Sequence, residues 1–232
     1  MLTKAIWPLF ALVVASNAAA YSVNNASGWN TTGLTGFSTT GAMMDGMTVS
    51  AIFVDGTKQT ATWADDPSSE NGGKASGTDF IFRESGDTFS NRWTLTSTAS
   101  LKPIRSLIVD AGTGNTVFDI VYAMGMDFGS PGSMNGYFDI TLIKAGVVAD
   151  VVFSGPVSVN HVFYGDLYRT MTINFTNPEG YFGFNFFRIQ ADTDNLRIAG
   201  DIVPDNGVPE PTVIALLGAS LLGLAFGRRR RM

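Results

Sequence analysis

Short runs of alternating apolar and polar residues fill the chain between residues 21 and 205, and glycine, asparagine and aspartate separate them. No segment sustains apolar residues at positions i, i+3, i+4 and i+7, as an amphipathic helix would require. The pattern therefore predicts an all-β domain. Its best-defined part is a hairpin, because 47–54 and 57–63 flank Asp55-Gly56, a pair that readily adopts the positive φ angles of a type I′ turn.

The pattern also predicts the arrangement of the remaining strands. We expect further strands at 79–83, 92–98, 104–109, 116–122, 137–143, 147–153, 168–175, 183–188 and 195–199. With regular turns and no crossover helices, this series favours an antiparallel β-sandwich of two sheets, of jelly-roll type. Residues 65–78 lack large apolar side chains, so we expect a mobile surface loop there. Residues 201–208 form a predicted linker.

The first 20 residues are typical of a secretory signal peptide. Lys4 supplies the positive charge, residues 5–14 are apolar, and the small residues Ala18, Ala19 and Ala20 precede the expected cleavage site. We therefore expect the chain to be exported and the mature domain to occupy residues 21–205.

A second apolar segment lies at the C-terminal end, where residues 212–226 read TVIALLGASLLGLAF without a charge. As a helix these residues would extend roughly 22 Å, against a bilayer core of about 30 Å. Gly227 and the stems of the arginines that follow lengthen the segment. We predict a single transmembrane helix over 212–227, with the arginines on the cytoplasmic side. A buried core helix is the alternative, but only Thr212 and Ser220 interrupt the apolar surface.

The residues just before this segment, 208–211, read VPEP. The combination of VPEP, a short apolar segment and a terminal arginine cluster closely resembles the PEP-CTERM sorting signal of Gram-negative bacteria that make extracellular polysaccharide. The resemblance covers residues 206–232. It implies that the chain is a substrate of exosortase, a multipass membrane protease or transpeptidase that processes its targets near the Pro-Glu-Pro motif. The implied sorting residues are Pro209, Glu210, Pro211, Arg228, Arg229, Arg230 and Arg231.

By the same resemblance, the chain would reside transiently in the inner membrane, anchored by its C-terminal helix. It would then reach the cell surface or the extracellular matrix of a biofilm.

The region between the two ends is strongly acidic. All 20 acidic residues lie between residues 21 and 211, whereas Lys4 and the four terminal arginines remove 5 of the 15 basic residues and leave a net charge of about −10. Such a surface repels phosphate backbones, so we expect no nucleic-acid partner. The chain has no cysteine, so stability depends on a hydrophobic core rather than on disulfides.

The sequence carries no strong sign of catalysis. It lacks the G-x-S-x-G, H-E-x-x-H and phosphate-loop motifs. His161, the single histidine, lies in VSVNHVF, and we expect a partly exposed strand residue rather than a general base. A glycosidase would need two carboxylates roughly 5 to 10 Å apart. We therefore expect no enzyme, and a secreted hydrolase is the least supported alternative.

Asp192, Asp194 and Asn195 form the one candidate metal site. We expect them at a loop edge immediately before the last strand, where their oxygens could hold Ca²⁺. The D-x-D-N ending is similar to the terminal strand of carbohydrate-binding jelly rolls, in which calcium is often structural. The alternative is a turn in which these side chains cap their own backbone. Calcium is the one cofactor that the sequence suggests.

Aromatic side chains offer a second route to sugar binding, because their flat faces can stack on sugar rings. The candidates are Trp29, Trp63, Trp93, Tyr164, Tyr168, Tyr181, Phe182, Phe184, Phe186 and Phe187. Aromatic residues in strands usually belong to the core, and alternation in YFGFNFF predicts that Phe182, Phe184 and Phe186 face it.

Together these patterns predict an exported, exosortase-processed surface or matrix protein with a structural or adhesive β domain. The alternative is a calcium-dependent module that binds extracellular polysaccharide. A sequence alone does not separate the two, because the ligand depends on which loops meet in space.

Overall fold

The computed structural model describes residues 21–24, 28–35, 38–98, 102–120, 129–130, 136, 138–141, 149–176, 180–181 and 187–205. The strands in this part of the chain are β1 Tyr21–Asn24, β2 Trp29–Thr31, β3 Thr48–Phe53, β4 Lys58–Asp65, β5 Gly72–Ser76, β6 Phe80–Ser85, β7 Trp93–Ser97, β8 Ile104–Asp110, β9 Thr116–Asp119, β10 Phe138–Thr141, β11 Ala149–Val159, β12 Leu167–Phe175, β13 Phe187–Asn195 and β14 Val203–Pro204. Two short 3₁₀ turns accompany them, Gly41–Met43 and Ala111–Gly114.

Nine strands pair in a closed antiparallel ring, in the order β13, β7, β6, β5, β4, β3, β8, β12, β9 and back to β13. Strand β9 closes the ring because it pairs with β12 on one side and with β13 on the other. The all-β, antiparallel class is therefore confirmed. The strands form a barrel instead of the predicted jelly-roll-like sandwich, since the closing strand leaves no free edge between two separate sheets.

The remaining strands pair with two strands of this ring and with one another. β10 pairs with β13, and β11 pairs with β12. β1 and β2 both run parallel to β11, and β14 adds to β2. The two ends of the described chain, β1 and β14, are therefore both connected to β11, directly for β1 and through β2 for β14.

Alternation along the strands fills the inside of the barrel with apolar side chains. The Phe82 and Trp93 rings stack inside it with their centres 5.3 Å apart, and the tilted Trp63 ring lies 5.2 Å from Trp93. Each indole N–H keeps a partner: Trp63 donates to the Gly41 carbonyl at 2.8 Å, and Trp93 donates to the Ala191 carbonyl at 2.9 Å. Large aromatic surfaces are thus buried without leaving a polar atom unpaired.

The predicted hairpin is confirmed, since β3 and β4 pair from Thr48 to Ile52. The predicted type I′ turn is wrong. Gly56 has a positive φ of 83°, but Asp55 does not, and the Gly56 amide donates to the Phe53 carbonyl at 3.0 Å. This is a three-residue loop with glycine in the left-handed position, the next most common way to close a hairpin.

The predicted mobile loop at 65–78 is wrong, because it contains β5, which pairs with β4 and β6. Glycine explains how a segment without large side chains becomes buried. A Cβ on Gly73 would lie 2.0 Å from Nε1 of Trp63 and 2.3 Å from the Gly41 carbonyl oxygen. The bare backbone of β5 is therefore what the Trp63 ring packs against.

His161 lies in a tight turn and not in a strand, which corrects the prediction for this residue. Asn160 and His161 have φ values of 50° and 65°, and Val159 and Val162 exchange backbone hydrogen bonds of 3.0 Å around them. This is the two-residue turn with positive φ at both central positions, which asparagine adopts readily.

The predicted last strand at 195–199 is also wrong. Strand β13 ends at Asn195, where the prediction had it begin. The sorting segment 206–232, with its predicted transmembrane helix, and the signal peptide at 1–20 lie outside the described residues. Among the described residues, no helix is long and apolar enough to cross a membrane.

Candidate functional site

A row of basic side chains crosses the outer face of four neighbouring strands. Lys74 on β5 is opposite Arg83 on β6, Arg83 is opposite Thr94 on β7, and Thr94 is opposite Arg188 on β13. Directly opposed residues of antiparallel strands project from the same face. Because strands are about 4.8 Å apart, the backbones of Arg83 and Arg188 are separated by roughly 10 Å.

The row faces outwards because the intervening positions fill the core. Phe82 and Glu84, on either side of Arg83, are buried, as are Phe187 and Ile189, on either side of Arg188. The same alternation that builds the barrel interior therefore brings the arginines together on its surface.

Arg83, Thr94 and Arg188 line a groove of about 620 Å³, which we call the arginine groove. Its basic residues are Arg83, Arg92 and Arg188, and its acidic residues are Asp66 and Glu84. Two connections form its walls: the one between β4 and β5, and the one between β6 and β7. The neutral polar residues along it are Ser68, Ser69, Ser85, Ser90, Asn91, Thr94 and Gln190. None of the aromatic side chains that the structure describes lines it.

Two of the arginines are available to a ligand. Arg83 and Arg92 are exposed, and neither forms a salt bridge with any residue in the described part of the chain. Lys74 differs, because its Nζ lies 2.9 Å from Oδ1 of Asp66. Hydrogen bonds from the Ser68 side chain and from Lys74 lower the pKa of Asp66 to about 2, so this acid stays charged and neutralises the lysine.

Glu84 lies under the groove but does not contribute charge to it. Its side chain is 1% exposed and points into the barrel, where a Cβ on Gly41 would be 2.8 Å from its Oε2 atom. Burial raises the pKa of Glu84 to about 8, and the nearby Gly41 and Ser85 amides offset only part of that effect. The acid is therefore mainly neutral at pH 7.

Asp192 and Asp194 lie within β13, which corrects the predicted loop edge. They alternate with Thr193 and Asn195, so the three proposed ligands do not all project from one face of the strand. All three are buried. The described residues contain no group of three or more histidine or acidic side chains placed to hold a metal ion.

Asp192 lies opposite an acid that was not part of the predicted calcium site. It pairs directly with Asp119 on β9, and both side chains are less than 5% exposed. Burial, and then the charge of Asp119, raise the pKa of Asp192 to about 8, although its Oδ1 accepts hydrogen bonds from the Thr88 hydroxyl at 3.0 Å and the Thr193 amide at 2.8 Å. This carboxylate pair is not part of the arginine groove.

Most of the aromatic candidates for sugar stacking belong to the core. Trp63, Trp93, Tyr168, Tyr181 and Phe187 are buried. Phe182, Phe184 and Phe186 lie outside the described residues. Alternation in YFGFNFF would place Tyr181 and Phe187 on the opposite, outward face, but both are buried.

Two aromatic candidates are not fully buried, and they differ in accessibility. The guanidinium of Arg169 covers the Trp29 ring at 3.9 Å from its centre. Tyr164 is exposed.

The predicted sorting residues, Pro209, Glu210, Pro211 and Arg228 to Arg231, lie outside the described residues. The arginine groove was missed by the sequence analysis. Its three arginines lie in predicted strands, but their meeting depends on the pairing of β13 with β7, which no local pattern indicates.

A scan against known protein families and searches of curated proteins and of solved structures found no match for this chain.

Proposed function

We propose that this chain is an exported surface or matrix protein whose barrel adheres to an acidic polysaccharide through the arginine groove, and that it is not an enzyme. The observation that supports this proposal is the position of Arg83, Arg92 and Arg188 in one groove of a chain whose acids otherwise outnumber its bases. Guanidinium groups bind carboxylates through paired, charge-assisted hydrogen bonds.

The neutral lining of the groove favours a sugar polymer over other anions. Its serine, threonine, asparagine and glutamine side chains can both donate hydrogen bonds to hydroxyl groups and accept them. Single-stranded nucleic acids usually need aromatic faces on which bases stack, and among the described residues no aromatic side chain lines the groove. An open groove along the outside of a barrel also suits an extended chain.

Sorting by exosortase is the second part of the proposal, and it rests on the sequence of residues 206–232. Exosortase would recognise Pro209, Glu210 and Pro211 while the segment 212–227 holds the chain in the inner membrane, with Arg228 to Arg231 inside. Replacing the three motif residues with alanine in a host that carries exosortase should leave an unprocessed, membrane-bound precursor. Normal processing and release of this variant would contradict the assignment.

Binding through the groove is tested with the purified full-length chain and three immobilised ligands: a polyuronate, a neutral glucan and single-stranded DNA. We expect saturable binding to the polyuronate only, weakened by salt because the contact is ionic. Hydrogen bonds to charged groups contribute about 1.5 to 3 kcal/mol each, so R83Q/R92Q should lower the affinity by at least about tenfold.

Arg105→Gln provides the matched control, because Arg105 is an exposed arginine on β8 and does not line the groove. It should bind as the unmodified chain does. Because R105Q removes one charge and R83Q/R92Q removes two, a loss of binding free energy for R105Q half as large as that for R83Q/R92Q would show that only net charge matters. Equal binding of DNA and polyuronate would remove the assignment of a sugar ligand.

A calcium-dependent site is the alternative for polysaccharide binding. The structure gives it less support than the groove, because Asp192, Asp194 and Asn195 are buried within a strand.

A further inference from the structure

Three consecutive apolar side chains are exposed just beyond the end of β11. Val162, Phe163 and Tyr164 are 46%, 51% and 38% exposed, and we call them the aromatic tip. The tight turn at Asn160 and His161 holds the tip in place, since Val159 and Val162 are hydrogen-bonded across it. Apolar residues of this size are rarely left adjacent and exposed unless they contact a partner.

The tip lies beside the point at which the chain continues towards its C-terminal segment. Nδ1 of His161 is 3.3 Å from Oδ1 of Asp205, the last residue described before that segment. The His161 amide also donates to Oδ1 of Asn30 at 2.6 Å, and the Asp205 amide donates to the Gly28 carbonyl at 3.0 Å. These contacts fasten the tip to β2 and Asp205 to Gly28, the residue immediately before β2.

The connection from Asp205 to the apolar segment is short. Seven residue steps separate Asp205 from Thr212, and at 3.3 to 3.6 Å each they span at most roughly 25 Å. If residues 212–227 span a membrane, the aromatic tip cannot lie far from its surface.

We propose that the aromatic tip contacts the lipid headgroup region of the bilayer that the C-terminal segment spans; this inference rests on the membrane anchoring proposed above. Aromatic side chains favour this region because their rings are apolar and a tyrosine hydroxyl remains hydrated. The contact depends on the anchor, which raises the local concentration of bilayer around the tip. It orients the barrel on the membrane before processing.

The test uses the absence of cysteine from the chain, which allows a single introduced cysteine to carry a fluorescent label. The chain from Tyr21 to Met232 is labelled at Phe163→Cys and reconstituted into phosphatidylethanolamine and phosphatidylglycerol vesicles whose acyl chains carry bromine, a short-range quencher. Phe89→Cys is the matched control, because Phe89 is 40% exposed but lies in the connection between β6 and β7.

We expect emission from position 163 to be quenched in these vesicles and emission from position 89 to be unchanged. Deleting residues 206–232 should abolish the quenching at 163. If the chain does not co-migrate with the vesicles in a flotation gradient, the proposed membrane anchor at 212–227 is wrong and this inference is overturned with it. If the chain floats but positions 163 and 89 are quenched equally or not at all, only the inference about the tip is overturned.

Discussion

Replacing Glu84 with glutamine should reduce the loss in the free energy of unfolding that accompanies rising pH. Burial raises the pKa of Glu84 in the folded protein from an ordinary value of 4.5 to about 8. Below pH 4.5 the folded and unfolded states are both protonated at this residue. Above it the unfolded state loses its proton first, so the carboxyl group lowers the free energy of unfolding as the pH rises, until the folded state also ionises near pH 8.

The magnitude follows from about 1.4 kcal/mol for each pKa unit of difference between the two states. Between pH 4.5 and pH 7 the penalty from Glu84 grows to about 3 kcal/mol, which is a large part of the 5 to 15 kcal/mol typical of a domain. Glutamine has nearly the same shape but does not ionise. The E84Q variant should therefore gain about 3 kcal/mol relative to the unmodified chain over this range, whatever constant offset its amide introduces.

The assay is urea unfolding at several pH values from about 4 to 8, followed by tryptophan fluorescence, since Trp63 and Trp93 are buried in the core. Asp192 also has its pKa raised to about 8, but it is present in both proteins and cancels in the difference. Glu70→Gln, which removes an exposed acid, is the control. If the E84Q and unmodified curves run parallel across the pH range, the pKa of Glu84 is not raised and the reasoning fails.

Three further predictions concern packing, pairing and metal binding. Gly73→Ala should destabilise the barrel by about 3 kcal/mol in urea unfolding, because the added Cβ collides with Trp63; unchanged stability would contradict the packing of β5. Arg169→Lys should lower the free energy of unfolding by about 1 kcal/mol, since lysine cannot replace the two hydrogen bonds to Asp110 at 2.8 and 2.9 Å; an unchanged free energy of unfolding in the same assay would contradict this. Thermal melts with calcium and with chelator should coincide, because the proposed ligands in β13 are buried and do not share a face; a higher midpoint with calcium would restore that site.

The parts of the fold that could be predicted are those that local sequence determines. Alternation gave the all-β class, and Asp55-Gly56 marked the hairpin, although the turn type depended on the φ of a single residue. Strand β5 could not be predicted because its burial does not come from its own side chains. Glycine at position 73 makes room for Trp63, and that relation between two strands is invisible in a pattern that scores each residue by its own polarity.

The arginine groove shows a second limit of sequence reasoning, this time in electrostatics. A net charge of about −10 argues against anionic ligands only if all charges act together. At physiological salt, exposed charges more than about 8 Å apart are largely screened from each other. Arg83 and Arg188 line one groove, so a ligand bound there contacts both, whereas acids on distant faces of the barrel contribute little. Which charges are neighbours depends on strand order, so the character of the groove follows from the pairing of β13 with β7 and not from composition.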